Sequence, residues 1–196
     1  MKHGTMRCLF HAAVMLSVFF FAEIMAAPVV LQRPVALRAE TMAHLKQVRA
    51  GDGNQWQLLV FGFTHCKDVC PMSLANTAML VNAAAAERIN LNGIFVTVDP
   101  DRDTDAILSR YTKSFGPDIG YLRFEGEALE RFKAAFGVEA IFYTKNAGNH
   151  LHYQVDHSTS AFLIDPEGKM RVIFDVLQDA QSITRMMKEN RSLFKS

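Results

Sequence analysis

Short apolar runs alternate along this chain with longer stretches whose apolar residues recur every three or four positions. Gln57 to Phe63 (QLLVFGF) and Leu91 to Val98 (LNGIFVTV) are the clearest runs, and their length suits strands buried on both faces. Between them Pro71 fits the first turn of a helix, where its missing donor costs nothing. Leu74, Ala78, Val81 and Ala85 then line one face of that helix. Asp99 and Pro100 close the second strand, and Thr104 is placed to cap a helix whose Ile107, Leu108, Tyr111 and Phe115 face the core. Gly116 and Pro117 stop it. Tyr121 to Phe124 predicts a short strand, and Leu129, Phe132 and Phe136 predict a helix ending at Gly137. Val138 to Val155 reads as an inserted excursion, a hairpin turning at Asn146 to Asn149. Ala161 to Asp165 and Met170 to Phe174 predict two strands joined by Pro166-Glu167-Gly168-Lys169. Ile183, Met186 and Met187 place a last helix. Residues Pro28 to Asn54 carry little pattern beyond a short amphipathic helix over Glu40 to Val48.

Alternating strands and helices imply parallel pairing through crossover helices, and the terminal hairpin supplies an antiparallel edge. The predicted architecture is α/β: a thioredoxin-like mixed sheet flanked by helices, with an inserted hairpin before His157. No Pro-, Gly- or Ser-rich linker divides it, so one domain is expected.

Composition narrows the partners. The 196 residues are 49% hydrophobic and 21% charged, with a net charge of +1. Near-balanced charge leaves no electrostatic footprint for nucleic acid or for an anionic membrane surface. A protein, a metal or a small molecule remains. At the N-terminus Lys2 and Arg7 precede an apolar stretch from Leu9 to Ala22, broken only by His11 and Ser17, and Ala26 and Ala27 follow. This predicts an export signal over residues 1–26, cut after Ala26, with the domain occupying 27–196. The competing reading is an uncleaved membrane anchor. A spanning helix needs about 20 apolar residues, and Glu23 interrupts this run.

Export changes the cysteine count, because Cys8 leaves with the leader and the domain keeps only Cys66 and Cys70. A bridge closing so short a loop removes little chain entropy, which makes a structural staple improbable and points to chemistry. Cys66-Lys67-Asp68-Val69-Cys70-Pro71 lies between the first clear strand and its helix. Cys70 falls at the helix start, where the dipole is expected to lower the thiol pKa. Two thiolates on one loop suit a soft ion such as Cu(I), or a reversible disulfide. His157 precedes the strand Ala161 to Asp165 and should enter beside the cysteine loop. It offers a third ligand for Cu(I), while Cu(II) would add an oxygen or water. Asp156 is a candidate to accept a hydrogen bond from the imidazole or to supply that oxygen. With His150 or His152 a tetrahedral zinc site also fits the donor set. His65 reads as packed or exposed, and the acidic run Asp99 to Asp105 as a turn and helix start with Arg102 paired internally.

The stretch Phe61-Gly62-Phe63-Thr64-His65-Cys66-Lys67-Asp68-Val69-Cys70-Pro71 resembles the signature of the Sco/SenC family of copper-binding oxidase assembly factors. Two further segments resemble that family in the same order. They are Val98-Asp99-Pro100-Asp101-Arg102-Asp103-Thr104, and Val155-Asp156-His157-Ser158 followed by Phe162-Leu163-Ile164-Asp165-Pro166 and Gly168. Three ordered motifs are a stronger signal than one. The resemblance implies one copper ion, Cu(I) or Cu(II), held by Cys66, Cys70 and His157. It also implies a role in building the copper centre of cytochrome c oxidase. The expected partners are that oxidase's copper-site subunit and other copper donors, in the periplasm or another extracytoplasmic space, in some members at the membrane. Lys67 stands where the family usually has proline, and the stretch before Gln57 lacks the usual Gly-rich lead-in. Two other activities remain open. One is a thiol–disulfide reductase acting through Cys66 and Cys70. The other is a peroxidase suggested by Val69-Cys70-Pro71, although Lys67 occupies the place where peroxiredoxins need Thr or Ser.

Overall fold

The computed structural model describes residues 28–48, 53–144 and 153–194, and the two apolar runs form the middle of its main sheet. The elements in chain order are β1 (Val29–Ala36), α1 (Ala39–Gln47), β2 (Trp56–Gly62), α2 (Val69–Ala86), β3 (Leu91–Thr97), α3 (Asp105–Lys113) and β4 (Ile119–Leu122). There follow α4 (Gly126–Ala135), β5 (Ala140–Thr144), β6 (Tyr153–His157), β7 (Ser160–Ile164), β8 (Lys169–Asp175), α5 (Ala180–Glu189) and a 3-10 turn, Arg191–Phe194. The expected leader, the hairpin turn at Asn146 to Asn149, His150 and His152 all lie outside the described residues.

Six strands pair in the order β1-β8-β7-β2-β3-β4. β2, β3 and β4 are parallel, while β7 runs antiparallel to β2, β8 to β7 and β1 to β8. This is the thioredoxin-like mixed sheet that the element order predicts. One expectation is corrected: the terminal hairpin is not the edge, because β1 covers β8. The sequence hides β1, most of whose residues are exposed. Pro34 lies in the stretch where its register with β8 breaks, between Val30 and Val35. A residue with no N–H is tolerated at such an irregular edge.

Burial on both faces explains why the central strands show no alternation of polar and apolar residues. Leu58 and Val60 of β2 share a cluster with Leu74 and Leu80 of α2 and Ile183 and Met187 of α5. Leu59 and Phe61 join a second cluster with Leu45 of α1 and Phe132 and Phe136 of the α4 side. α2 is long and apolar enough to cross a membrane by length and composition. Here it is a core helix, packed between the sheet and α5.

Thr104 caps α3 as predicted, accepting from the Ile107 N–H, and Gly137 takes a positive φ just past α4. The inserted excursion forms its own antiparallel ribbon of β5 and β6. Successive residues of a strand point to opposite faces. Tyr153, Val155 and His157 are accordingly half-buried toward the body of the domain, and Gln154 and Asp156 are exposed.

Gly62 closes β2 where no side chain fits. A Cβ there would stand 2.5 Å from Cε2 of Phe95 and 3.1 Å from Sγ of Cys70. Gly62→Ala should therefore cost about 1–3 kcal/mol, the usual range for overpacking. Urea unfolding reads this, and an unchanged midpoint would remove the close-approach explanation.

Candidate metal centre

The two cysteines and the histidine arrive at one end of the sheet by different routes. β2 delivers the loop containing Cys66 and the start of α2. β7 returns antiparallel beside β2, with Val60 opposite Ala161, so the residues entering β7 sit next to that loop. Sγ of Cys70 stands 3.6 Å from Nε2 of His157, across 87 positions of sequence. A sulfur about 2.3 Å and an imidazole nitrogen about 2.0 Å from one metal ion, at an angle of about 110°, are themselves about 3.5 Å apart. The pair already has the spacing of two ligands.

The imidazole is oriented for this. Its Nδ1 lies 2.9 Å from the Ser158 carbonyl, so Nδ1–H donates there and the Nε2 lone pair faces the sulfur. Burial lowers the pKa of His157, opposed by that hydrogen bond and by the nearby charge of Asp156. The ring also meets the edge of Phe63, centroid to centroid 6.0 Å. Asp156, expected as hydrogen-bond acceptor, is exposed on the other face of β6, and the Ser158 carbonyl takes the Nδ1 proton. The reason is the period-2 alternation of β6, which runs two residues past the Val155 limit expected for the hairpin and takes in Asp156 and His157.

α2 begins at Val69, so Pro71 falls in its first turn as expected, and Asp68 provides no side-chain cap. The sulfur of Cys66 takes up one of its unpaired first-turn donors, accepting from the Cys70 N–H at 3.3 Å. Both thiols are free, Cys66 partly exposed and Cys70 buried. The expectation of a lowered Cys70 pKa is overturned. Burial pushes this thiol well above the usual range, although a backbone hydrogen bond from Phe63 works the other way. At 1% exposure, desolvation outweighs the helix dipole. Among the described residues no three His, Cys, Asp or Glu side chains stand together as a finished metal cluster. The arrangement is a Cys70–His157 pair, with Cys66 one hydrogen bond away.

Asp103, given no role of its own within its motif and acidic run, anchors the cysteine loop. Its fully buried carboxylate accepts from the Thr64 backbone N–H at 3.0 and 3.2 Å, from the Thr64 hydroxyl, and from the Thr97 hydroxyl at 2.6 Å. His65 is exposed beside it, Nδ1 3.7 Å from Oδ1, in keeping with the expectation of a packed or exposed side chain. The expected internal pairing of Arg102 is present, to Asp99. Two free thiols and a neutral imidazole at a partly open surface can bind a soft metal ion or exchange a disulfide.

Comparison with known proteins places the chain in a family. The profile described as SCO1/SenC matches residues 46–191. The mitochondrial SCO2 homolog of Bos taurus is 32% identical over 145 residues, which are 72% of this chain and 53% of that protein. An SCO2-like protein of Rickettsia prowazekii is 34% identical over 133 residues, 67% of this chain and 63% of the relative. The chain thus spans between about half and two thirds of the length of these relatives. Among solved structures, Arabidopsis thaliana ScoI with copper bound superposes with a TM-score of 0.65 at 26% identity, covering 82% of this chain and 98% of that one.

Proposed function

This chain belongs to the SCO1/SenC family, and from that premise we propose that it carries one copper ion between Cys66, Cys70 and His157 for assembly of the copper centre of cytochrome c oxidase. The observation that supports this most is the 3.6 Å approach of the Cys70 sulfur to Nε2 of His157, at the separation of two ligands on one ion. The copper-bound structure of the similar Arabidopsis thaliana ScoI supports the choice of metal. Cys70 supplies a buried sulfur, Cys66 the sulfur at the mouth, and His157 a neutral nitrogen. Soft donors of this kind suit Cu(I), and Cu(II) would add a water or carboxylate oxygen. Asp156 acts on the imidazole through its charge rather than through a hydrogen bond. The copper-site subunit of the oxidase receives the ion and other copper donors supply it. The setting is extracytoplasmic, periplasmic in a bacterium, with residues 1–26 as export signal or membrane anchor.

A second reading is favoured by the unequal exposure of the two free thiols. Here Cys66 as thiolate attacks a disulfide of the oxidase copper site, one partner sulfur leaving as thiolate to form a mixed disulfide. Cys70 then resolves it, so that the partner gains two thiols and this chain a Cys66–Cys70 disulfide. His157 separates the readings: oxidase assembly fails in His157→Ala if copper is carried and survives if the thiols only reduce.

The direct test is copper titration of the purified protein across pH. Binding should saturate at one copper per chain. Because the folded environment holds the Cys70 thiol protonated, copper must displace its proton, and affinity should rise at least tenfold per pH unit between pH 7 and 8. His157 is neutral there and adds proton competition only on the acid side, below its usual range. Affinity that does not change with pH would contradict thiolate ligation.

A further inference from the structure

The ligand histidine ends a ribbon that, among the described residues, shares no ladder with the main sheet; the entry into β7 brings it near the cysteine loop, and contacts made by the ribbon itself hold it at its distance from Cys70. We infer that Arg102 is the positioning residue that clamps the β5–β6 ribbon against the cysteine loop and so sets the Cys70–His157 separation; this rests on the copper-site reading above.

The contacts of Arg102 reach both halves of the site. Its guanidinium lies face-on over the Tyr153 ring, Cζ 3.6 Å from the centroid. Nη1 donates to the Tyr153 carbonyl at 3.2 Å. Nε pairs with Asp99, whose other carboxylate oxygen accepts from the Tyr153 hydroxyl. Tyr153 is the first residue of β6 and His157 the last, on the same face, about 13 Å apart at strand rise. On the other side, Cζ of Arg102 stands 5.7 Å from the ring of Phe63, whose edge meets the imidazole of His157. Phe63 belongs to the segment that leads into Cys66. One side chain, 8% exposed and paired with a carboxylate at 1%, thus touches the loop bearing the sulfurs and the strand bearing the nitrogen. Only a planar guanidinium can stack on Tyr153, pair with Asp99 and reach the carbonyl together, which a lysine cannot do.

The test compares Arg102→Lys and Tyr153→Leu with the unaltered protein, each loaded with Cu(II) for spectroscopy and with Cu(I) for transfer to excess chelator. Arg102→Lys keeps the cation opposite Asp99. Tyr153→Leu lies on the half-buried ribbon and leaves the ion pair intact, so it reads the clamp even if Arg102→Lys fails to fold. Copper should leave either variant about 30-fold faster, the factor matching about 2 kcal/mol for a desolvated cation–π contact. The imidazole nitrogen coupling in the Cu(II) resonance spectrum should weaken while the thiolate bands persist, which a general loss of stability would not produce. Transfer rates within twofold of the unaltered protein, with unchanged nitrogen coupling, would overturn the clamp. If His157→Ala has the spectrum of the unaltered protein, the copper reading itself fails, and the clamp with it.

Discussion

Cys70→Ser should lower copper affinity by about two to three orders of magnitude while leaving the fold close to intact. A four-ligand metal site in a small domain is worth about 10–16 kcal/mol, or about 3–4 kcal/mol for each donor. A hydroxyl is a poor substitute for a thiolate toward a soft ion. Serine nearly matches cysteine in size, so the space beside Gly62 and Phe95 stays filled and the sheet has no reason to change. Competition against a Cu(I) chelator of known affinity measures the loss. Retention of affinity within tenfold would mean that the ion does not depend on the buried sulfur.

Asp103→Ala should be the most damaging single change to stability, at about 3–5 kcal/mol, a large part of the 5–15 kcal/mol typical of a domain. The Thr64 N–H and hydroxyl and the Thr97 hydroxyl all converge on this carboxylate. Alanine would leave them unpaired in a dry pocket. Thr64 stands two residues before Cys66, so the cysteine loop should loosen before the sheet does, and copper affinity should fall even under conditions where the protein remains folded. Asp103→Asn keeps one acceptor oxygen and should lose less. Urea unfolding of the two variants checks this, and equal stability of Asp103→Ala and the unaltered protein would deny the anchor its role.

Much of this was legible in the chain because the strong signals were local. QLLVFGF and LNGIFVTV are strands by length and apolarity wherever they occur, Thr104 caps its helix through a contact three residues away, and Gly137 supplies the left-handed turn past α4. The nearness of His157 to Cys70 also followed, since a strand entering antiparallel beside β2 must begin at the end where β2 finishes. What stayed hidden depended on partners far away in sequence. β1 is a strand only because β8 offers it an edge, and its own exposed, proline-bearing sequence does not announce that. The raised pKa of Cys70 needed knowledge of how deeply the first turn of α2 sinks into the second core cluster. Asp103 read as one acidic residue of a turn and helix start, and only the fold shows it receiving donors from 39 and 6 positions away. Asp156 does not take the imidazole's hydrogen bond because adjacent residues on an extended strand point to opposite faces, although its charge still acts on the ring.

Loading the intact protein with one equivalent of Cu(II) and recording its visible absorption together with its electron paramagnetic resonance probes the proposed ligands themselves. Sulfur-to-copper charge-transfer bands and splitting from a single imidazole nitrogen are expected, the bands weakening in Cys70→Ser and vanishing when Cys66 and Cys70 are both serine, and the splitting vanishing in His157→Ala. A spectrum of nitrogen and oxygen ligands alone, or one that none of these substitutions alters, would contradict that ligand set.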